Sequence, residues 1–151
     1  MKINVITNQM RKILPLRYCG AVIVAGGSAT RMGGIDKVMA PLGGEPMIVR
    51  TVRTFEQCDA IREIVVVTRQ DLITQIMELC ATFTKVRAVV AGGTDRQGSV
   101  QAGLNPLSGQ VRLVAVHDGA RPLVTWEVID RTSGEVLSPD RWHYEDGFVI
   151  I

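Results

Sequence analysis

Short, almost unbroken apolar runs alternate along the chain with segments whose apolar residues recur at helical spacing. Gly20 to Ala25 (GAVIVA) is the first run, rich in branched side chains and closed by Gly26-Gly27. It predicts a buried strand that feeds a glycine loop. Pro46 to Gln57 carries Met47, Ile48, Val52 and Phe55 on one helical face, with Pro46 suited to the first turn. Glu63 to Thr68 (EIVVVT) predicts a second strand. Asp71 to Ala81 predicts a helix capped by Asp71, with Leu72, Ile76 and Leu79 turned inward. Val86 to Ala91 predicts a third strand ending at Gly92-Gly93, and Arg96 to Leu104 a helix. Val111 to Val116 predicts a fourth strand running into His117-Asp118, and Thr125 a cap for a last helix through Arg131. After Arg131 no helical period is visible, although Trp142, Tyr144 and Phe148 fall there.

Strands apolar on both faces, each followed by a helix, predict an α/β fold. The expected architecture is a Rossmann-like, mostly parallel sheet with helices on both faces. In such sheets ligands bind beyond the carboxyl ends of the strands. The loops AGGSATRMGGIDK, AGGTDRQGSV and HDGARP follow the first, third and fourth strands, so all three belong to that edge.

Composition narrows the partners. The 151 residues fit one domain, and an apolar fraction of 46% supports a packed core. Lys plus Arg number 17 against 15 Asp plus Glu, a net charge of +2. That balance gives no global field for nucleic acid or an anionic membrane, so an anionic ligand must be held by local cations. No stretch is long enough to span a bilayer, and the charged first residues lack the apolar run of a secretory signal. Cys19, Cys58 and Cys80 match no zinc or redox spacing. They read as reduced, mostly buried residues of a cytoplasmic protein.

The first loop carries the densest chemistry. Gly26 and Gly27 let consecutive amides face an anion, and Arg31 and Lys37 add two cations suited to a triphosphate. It lacks the Gly-Lys-Ser/Thr end of a P-loop, and Ala29 stands where a dinucleotide fingerprint needs its middle glycine. In the second loop Gly93 can present its backbone to a planar base and Ser99 offers a hydroxyl at the base edge. Arg96 either serves that pocket or braces the loop. In the third, Asp118 ends an apolar strand, where a carboxylate suits Mg²⁺ shared with substrate phosphates; a helix cap or an ion pair with Arg121 is the competing reading. Arg121 is placed to hold the phosphate of a second substrate. His117 reads as structural.

Taken together, these loops resemble the 2-C-methyl-D-erythritol 4-phosphate cytidylyltransferase family of the non-mevalonate isoprenoid pathway, over about Gly20 to Arg131. The match includes TVRTFEQC and REIVVVT between the loops. The resemblance implies a nucleotidyltransferase fold of the GT-A-like type, CTP as cosubstrate, Mg²⁺, and the products 4-diphosphocytidyl-2-C-methyl-D-erythritol and pyrophosphate. It implies Arg31 and Lys37 as the catalytic pair at the α-phosphate and Asp118 as the metal ligand. Ala25, Gly26, Gly27, Gly93, Thr94 and Ser99 become nucleotide-binding residues, and Arg121 contacts the acceptor. Residues 1–19 then read as an N-terminal extension, 20–131 as the CTP-binding part of the transferase domain and 132–151 as a divergent tail. The family's Asp-Thr-x-Lys segment, its dimerisation arm and a late lysine have no counterpart here, so the fold reads as truncated and the family's homodimer is not expected. Ala29 replaces a usual glycine, and no proline precedes Lys37. In those respects the first loop is similar to molybdenum-cofactor guanylyltransferases, while the two later loops favour the cytidylyl branch. A ribitol-5-phosphate cytidylyltransferase and a non-catalytic CTP-binding module are the competing readings.

Overall fold

The computed structural model describes residues 18–26, 36–124 and 148–150. The expectations for Gly27, Arg31 and the helix from Thr125 to Arg131 lie outside the described residues. Strand β1 (Cys19–Ala25) leads to a short 3-10 turn (Lys37–Met39) and a small hairpin, β2 (Pro41–Leu42) and β3 (Glu45–Pro46). Helix α1 (Met47–Gln57), strand β4 (Ile61–Thr68), a second 3-10 turn (Gln70–Leu72) and helix α2 (Ile73–Leu79) follow. Strand β5 (Val86–Ala91), helix α3 (Arg96–Leu104), strand β6 (Leu113–Asp118) and strand β7 (Phe148–Ile150) complete the order.

The main sheet runs β5-β4-β1-β6-β7. Its first four strands are parallel, and β7 lies antiparallel on β6. Chain order moves from β1 outward through β4 to β5, then returns across the sheet to β6. Right-handed crossovers therefore put α1 and α2 on one face and α3 on the other. The packing agrees. Ala21, Ile23, Ile64, Val66 and Ala115 meet Ile48, Val52, Phe55 and Ile76 on one side. The alternate residues Val22, Val65, Val67, Val114 and Val116 meet Val100 and Leu104 on the other. The period of two along each strand divides the two cores. This is the α/β architecture the pattern predicts.

Several local expectations are corrected. Asp71 does not cap α2. It sits inside the preceding 3-10 turn, where Arg69 grips its carboxylate with bonds of 3.0 and 2.9 Å, and no side chain caps the helix. Strands β1 and β4 start earlier than expected, at Cys19 and Ile61. Tyr18 is also tied in, its carbonyl accepting from the Arg112 amide at 2.8 Å. Strand β6 starts two residues later than expected and extends through His117-Asp118. The β2–β3 hairpin was not anticipated, since two-residue strands have no period to read; Gly43 and Gly44 turn it with φ of 63° and 87°. All three cysteines are free and buried, as expected. Burial pushes the thiols of Cys19 and Cys80 up to about 11.

Candidate functional site

Strand register sets the site. Ala25 pairs with Thr68, Thr68 with Ala91, and Val24 with Asp118, so the four parallel strands end nearly level. The chain leaves β1 toward one side and returns to β6 on the other, which makes the gap between them the topological switch point. A cavity of about 300 Å³ opens there, lined by Val24, Gly26, Gly93, Thr94, Asp95, Arg96, Ser99 and Asp118. Residues from all three glycine-rich loops thus share one cleft.

The second loop forms one wall. Asp95 caps α3, its Oδ1 accepting from the Gly98 amide at 2.6 Å. That cap folds the loop back until a Cβ on Gly93 would lie 2.8 Å from the Gly98 carbonyl carbon. Only glycine fits, and its bare backbone faces the cleft. Ser99, in the first turn of α3, is largely buried behind it. Asp95 is a lining residue that sequence reasoning passed over; its signal was the Asp-x-x-Gly spacing of an N-cap. Arg96 lines the cleft.

The third loop forms the opposite wall. Asp118 Oδ1 accepts from the Ala120 amide at 2.9 Å, and the Asp118 carbonyl accepts from the Arg121 amide at 3.1 Å. A carboxylate has about four acceptor positions, so one amide leaves capacity for a cation. Among the described residues no three acidic, histidine or cysteine groups cluster into a metal cage. A single carboxylate at the rim of a cleft is chemically compatible with Mg²⁺, which takes one or two carboxylates and completes its shell with water and substrate phosphates. Arg121 is exposed beside this loop and does not line the cavity. His117 is fully buried, with Nε2 3.1 Å from the Arg121 carbonyl, the structural role expected of it.

The first loop re-enters the described residues at Asp36. Its carboxylate caps the 3-10 turn through the Val38 amide at 3.1 Å and pairs with Arg69 at 2.7 Å. Arg69 follows directly on Thr68, so the pair fastens Lys37 to the same carboxyl edge of the sheet. Lys37 is exposed and outside the cavity lining. Ala25 is buried at the end of β1 and Gly26 lines the cleft.

The fold and the cleft define a doubly wound α/β domain of the nucleotidyltransferase type, with its ligand edge built from glycine-rich turns. The family model for 2-C-methyl-D-erythritol 4-phosphate cytidylyltransferase (IspD) matches residues 19–138. The chain is 45% identical over 109 residues to the enzyme of that name from Symbiobacterium thermophilum, covering 72% of this chain and 45% of the relative. It is 43% identical over 107 residues to the enzyme of that name from Dehalococcoides mccartyi, covering 70% and 47%. Among solved structures it superposes on 4-diphosphocytidyl-2C-methyl-D-erythritol synthase from Anaerococcus prevotii with a TM-score of 0.68 and 32% identity, covering 79% of this chain and 50% of that one. The chain belongs to the 2-C-methyl-D-erythritol 4-phosphate cytidylyltransferase family. It spans about half the length of the curated relatives it matches.

Proposed function

We propose that this protein transfers CMP from CTP to 2-C-methyl-D-erythritol 4-phosphate. The observation that carries the reading is the meeting of Gly26, Gly93, Thr94, Ser99 and Asp118 around one cavity at the switch point of the sheet. An oxygen of the acceptor phosphate attacks the α-phosphorus of CTP. The bond from that phosphorus to the bridging oxygen breaks, and pyrophosphate leaves. The acceptor phosphate is already anionic, so no general base is required. Catalysis rests on alignment and on charge stabilisation at phosphorus.

In this reading Ala25, Gly26, Gly27, Gly93, Thr94 and Ser99 hold the nucleoside. Arg31 and Lys37 offset charge at the α-phosphate, and Arg121 holds the acceptor phosphate. Asp118 is the residue that would hold Mg²⁺, which when bound neutralises phosphate charge and orients the triphosphate. The reaction belongs in the cytoplasm, where free thiols persist.

The test is pyrophosphate release from CTP, Mg²⁺ and methylerythritol phosphate, with ribitol 5-phosphate as the competing acceptor. Turnover with the first acceptor is expected, falling on the order of 10²-fold or more in Asp118→Asn. A folded wild-type chain that releases no pyrophosphate, or an Asp118→Asn variant as fast as wild type, would overturn the reading. Faster turnover with ribitol phosphate would move the substrate assignment.

A further inference from the structure

We propose that Thr51, a threonine in the apolar face of α1, is a positioning residue that aims the Asp118 carboxylate into the cleft. The proposal rests on the role given to Asp118 above. The inward face of α1 holds Ile48, Val49, Thr51, Val52 and Phe55, and Thr51 is completely buried. A hydroxyl in such a place costs free energy unless it is hydrogen-bonded, and threonine is not a strong helix former. Neither helix propensity nor core packing accounts for it.

Its partner does. Thr51 Oγ1 lies 2.9 Å from the carbonyl oxygen of Gly119, 68 residues away, and 3.3 Å from that of Met47 within its own helix. A hydroxyl has one proton, and the shorter contact is the bond across the core. The Gly119 carbonyl and the Ala120 N–H belong to the same planar peptide unit. On its other side that unit donates to Asp118 Oδ1 at 2.9 Å. Thr51 therefore grips one edge of a rigid plate, and the opposite edge holds the carboxylate that lines the cleft.

The rest of the loop is fastened independently. The Gly119 amide donates to the Val24 carbonyl at 2.8 Å. His117 Nε2 is 3.1 Å from the Arg121 carbonyl, and since a carbonyl only accepts, that nitrogen carries the hydrogen. With both ends of the loop tied, the hydroxyl of Thr51 adds a hold from the core side on the tilt of the peptide between Gly119 and Ala120.

The decisive pair is Thr51→Val, which keeps the shape and removes the hydroxyl, and Thr51→Ser, which keeps the hydroxyl. Two readouts are needed: kcat and KM for each substrate, and amide hydrogen exchange at Ala120. Thr51→Val should lose on the order of 10- to 100-fold in kcat, the scale of a misplacement near 1 Å, with a much smaller change in KM for CTP. Its Ala120 amide should exchange faster. Thr51→Ser should restore both. If Thr51→Val does not fold, Thr51→Ala carries the same expectations. Turnover in Thr51→Val equal to wild type overturns the proposal. Equal loss in both variants also overturns it, because the methyl group would then be what matters. A wild-type chain without turnover defeats the proposed function instead, and exchange at Ala120 still decides whether Thr51 holds the peptide.

Discussion

Glu63 illustrates how one residue can be tied to parts of the chain that no local pattern reveals. It is buried on β4, and its carboxylate accepts from the Ser108 amide at 2.9 Å, the Ser108 hydroxyl and the Tyr18 hydroxyl at 3.3 Å, with Arg87 at 3.9 Å. Burial pushes its pKa up. The Ser108 bonds, the Arg87 charge and the Tyr18 bond outweigh that and leave it below the ordinary value. A folded-state pKa below the unfolded one adds stability at pH above the unfolded value, about 4.3, and loses it as pH falls through the folded one. Glu63→Gln should therefore cost about 1–3 kcal/mol at pH 7. Urea unfolding at pH 7 and again below pH 4 checks this: the gap to wild type should shrink at the lower pH, and a constant gap would contradict the account. Tyr18 and Ser108 each lie 45 residues from Glu63, so the sequence showed only a polar start to EIVVVT. The same limit hid Thr51, whose partner is in another loop. Asp118 and Gly93 were legible because glycine and charge stand directly at strand ends, where the fold class itself says to look.

At the scale of elements, apolar runs and helical spacing located β1, β4, β5, β6, α1 and α2 to within a few residues. α3 shows what they did not convey. Its sequence, RQGSVQAGL, is barely amphipathic, and its buried residues are Ser99, Val100 and Gly103. Such a helix docks by closeness rather than by apolar bulk. A Cβ on Gly103 would collide with Val22 and lie 2.7 Å from Val67 Cγ2, both core valines of the facing strands. Alanine normally improves a helix over glycine by about 1 kcal/mol. Here overpacking should win, and Gly103→Ala should be less stable by about 1–3 kcal/mol. Denaturant unfolding measures it, and a variant more stable than wild type would show that the helix can retreat at no cost. Ser99 lies four residues earlier on α3 and sits beside the cavity. A helix pushed off the sheet would carry that wall with it, so under the proposed function CTP should also bind more weakly to this variant.

For the whole molecule, alternation of strand and helix was enough to predict the parallel sheet and the ligand edge at its carboxyl ends, while the strand order, and with it the switch point, is set by pairings no local pattern shows. β7 was not legible, because three apolar residues after a long polar stretch have no period and name no partner. Its backbone nevertheless completes the sheet: Ala115 pairs with Ile150, Val116 with Val149, and His117 with Phe148. Among the described residues, β6, the strand that delivers His117 and Asp118 to the cleft, would be an open edge without it. Unpaired edge strands lose backbone hydrogen bonds and invite pairing between copies. Deleting residues 148–151 should therefore speed amide exchange in Ala115–His117 while leaving the centre of β4 protected. The thermal midpoint should fall by roughly 2–4 °C for each kcal/mol lost. The shortened chain should also self-associate more readily as its concentration rises. Exchange in β6 unchanged by the deletion would mean that β7 adds nothing to the strand beneath the site, and the integrity of that edge would then rest on its pairing with β1 and the core contacts of Leu113, Val114, Ala115 and Val116.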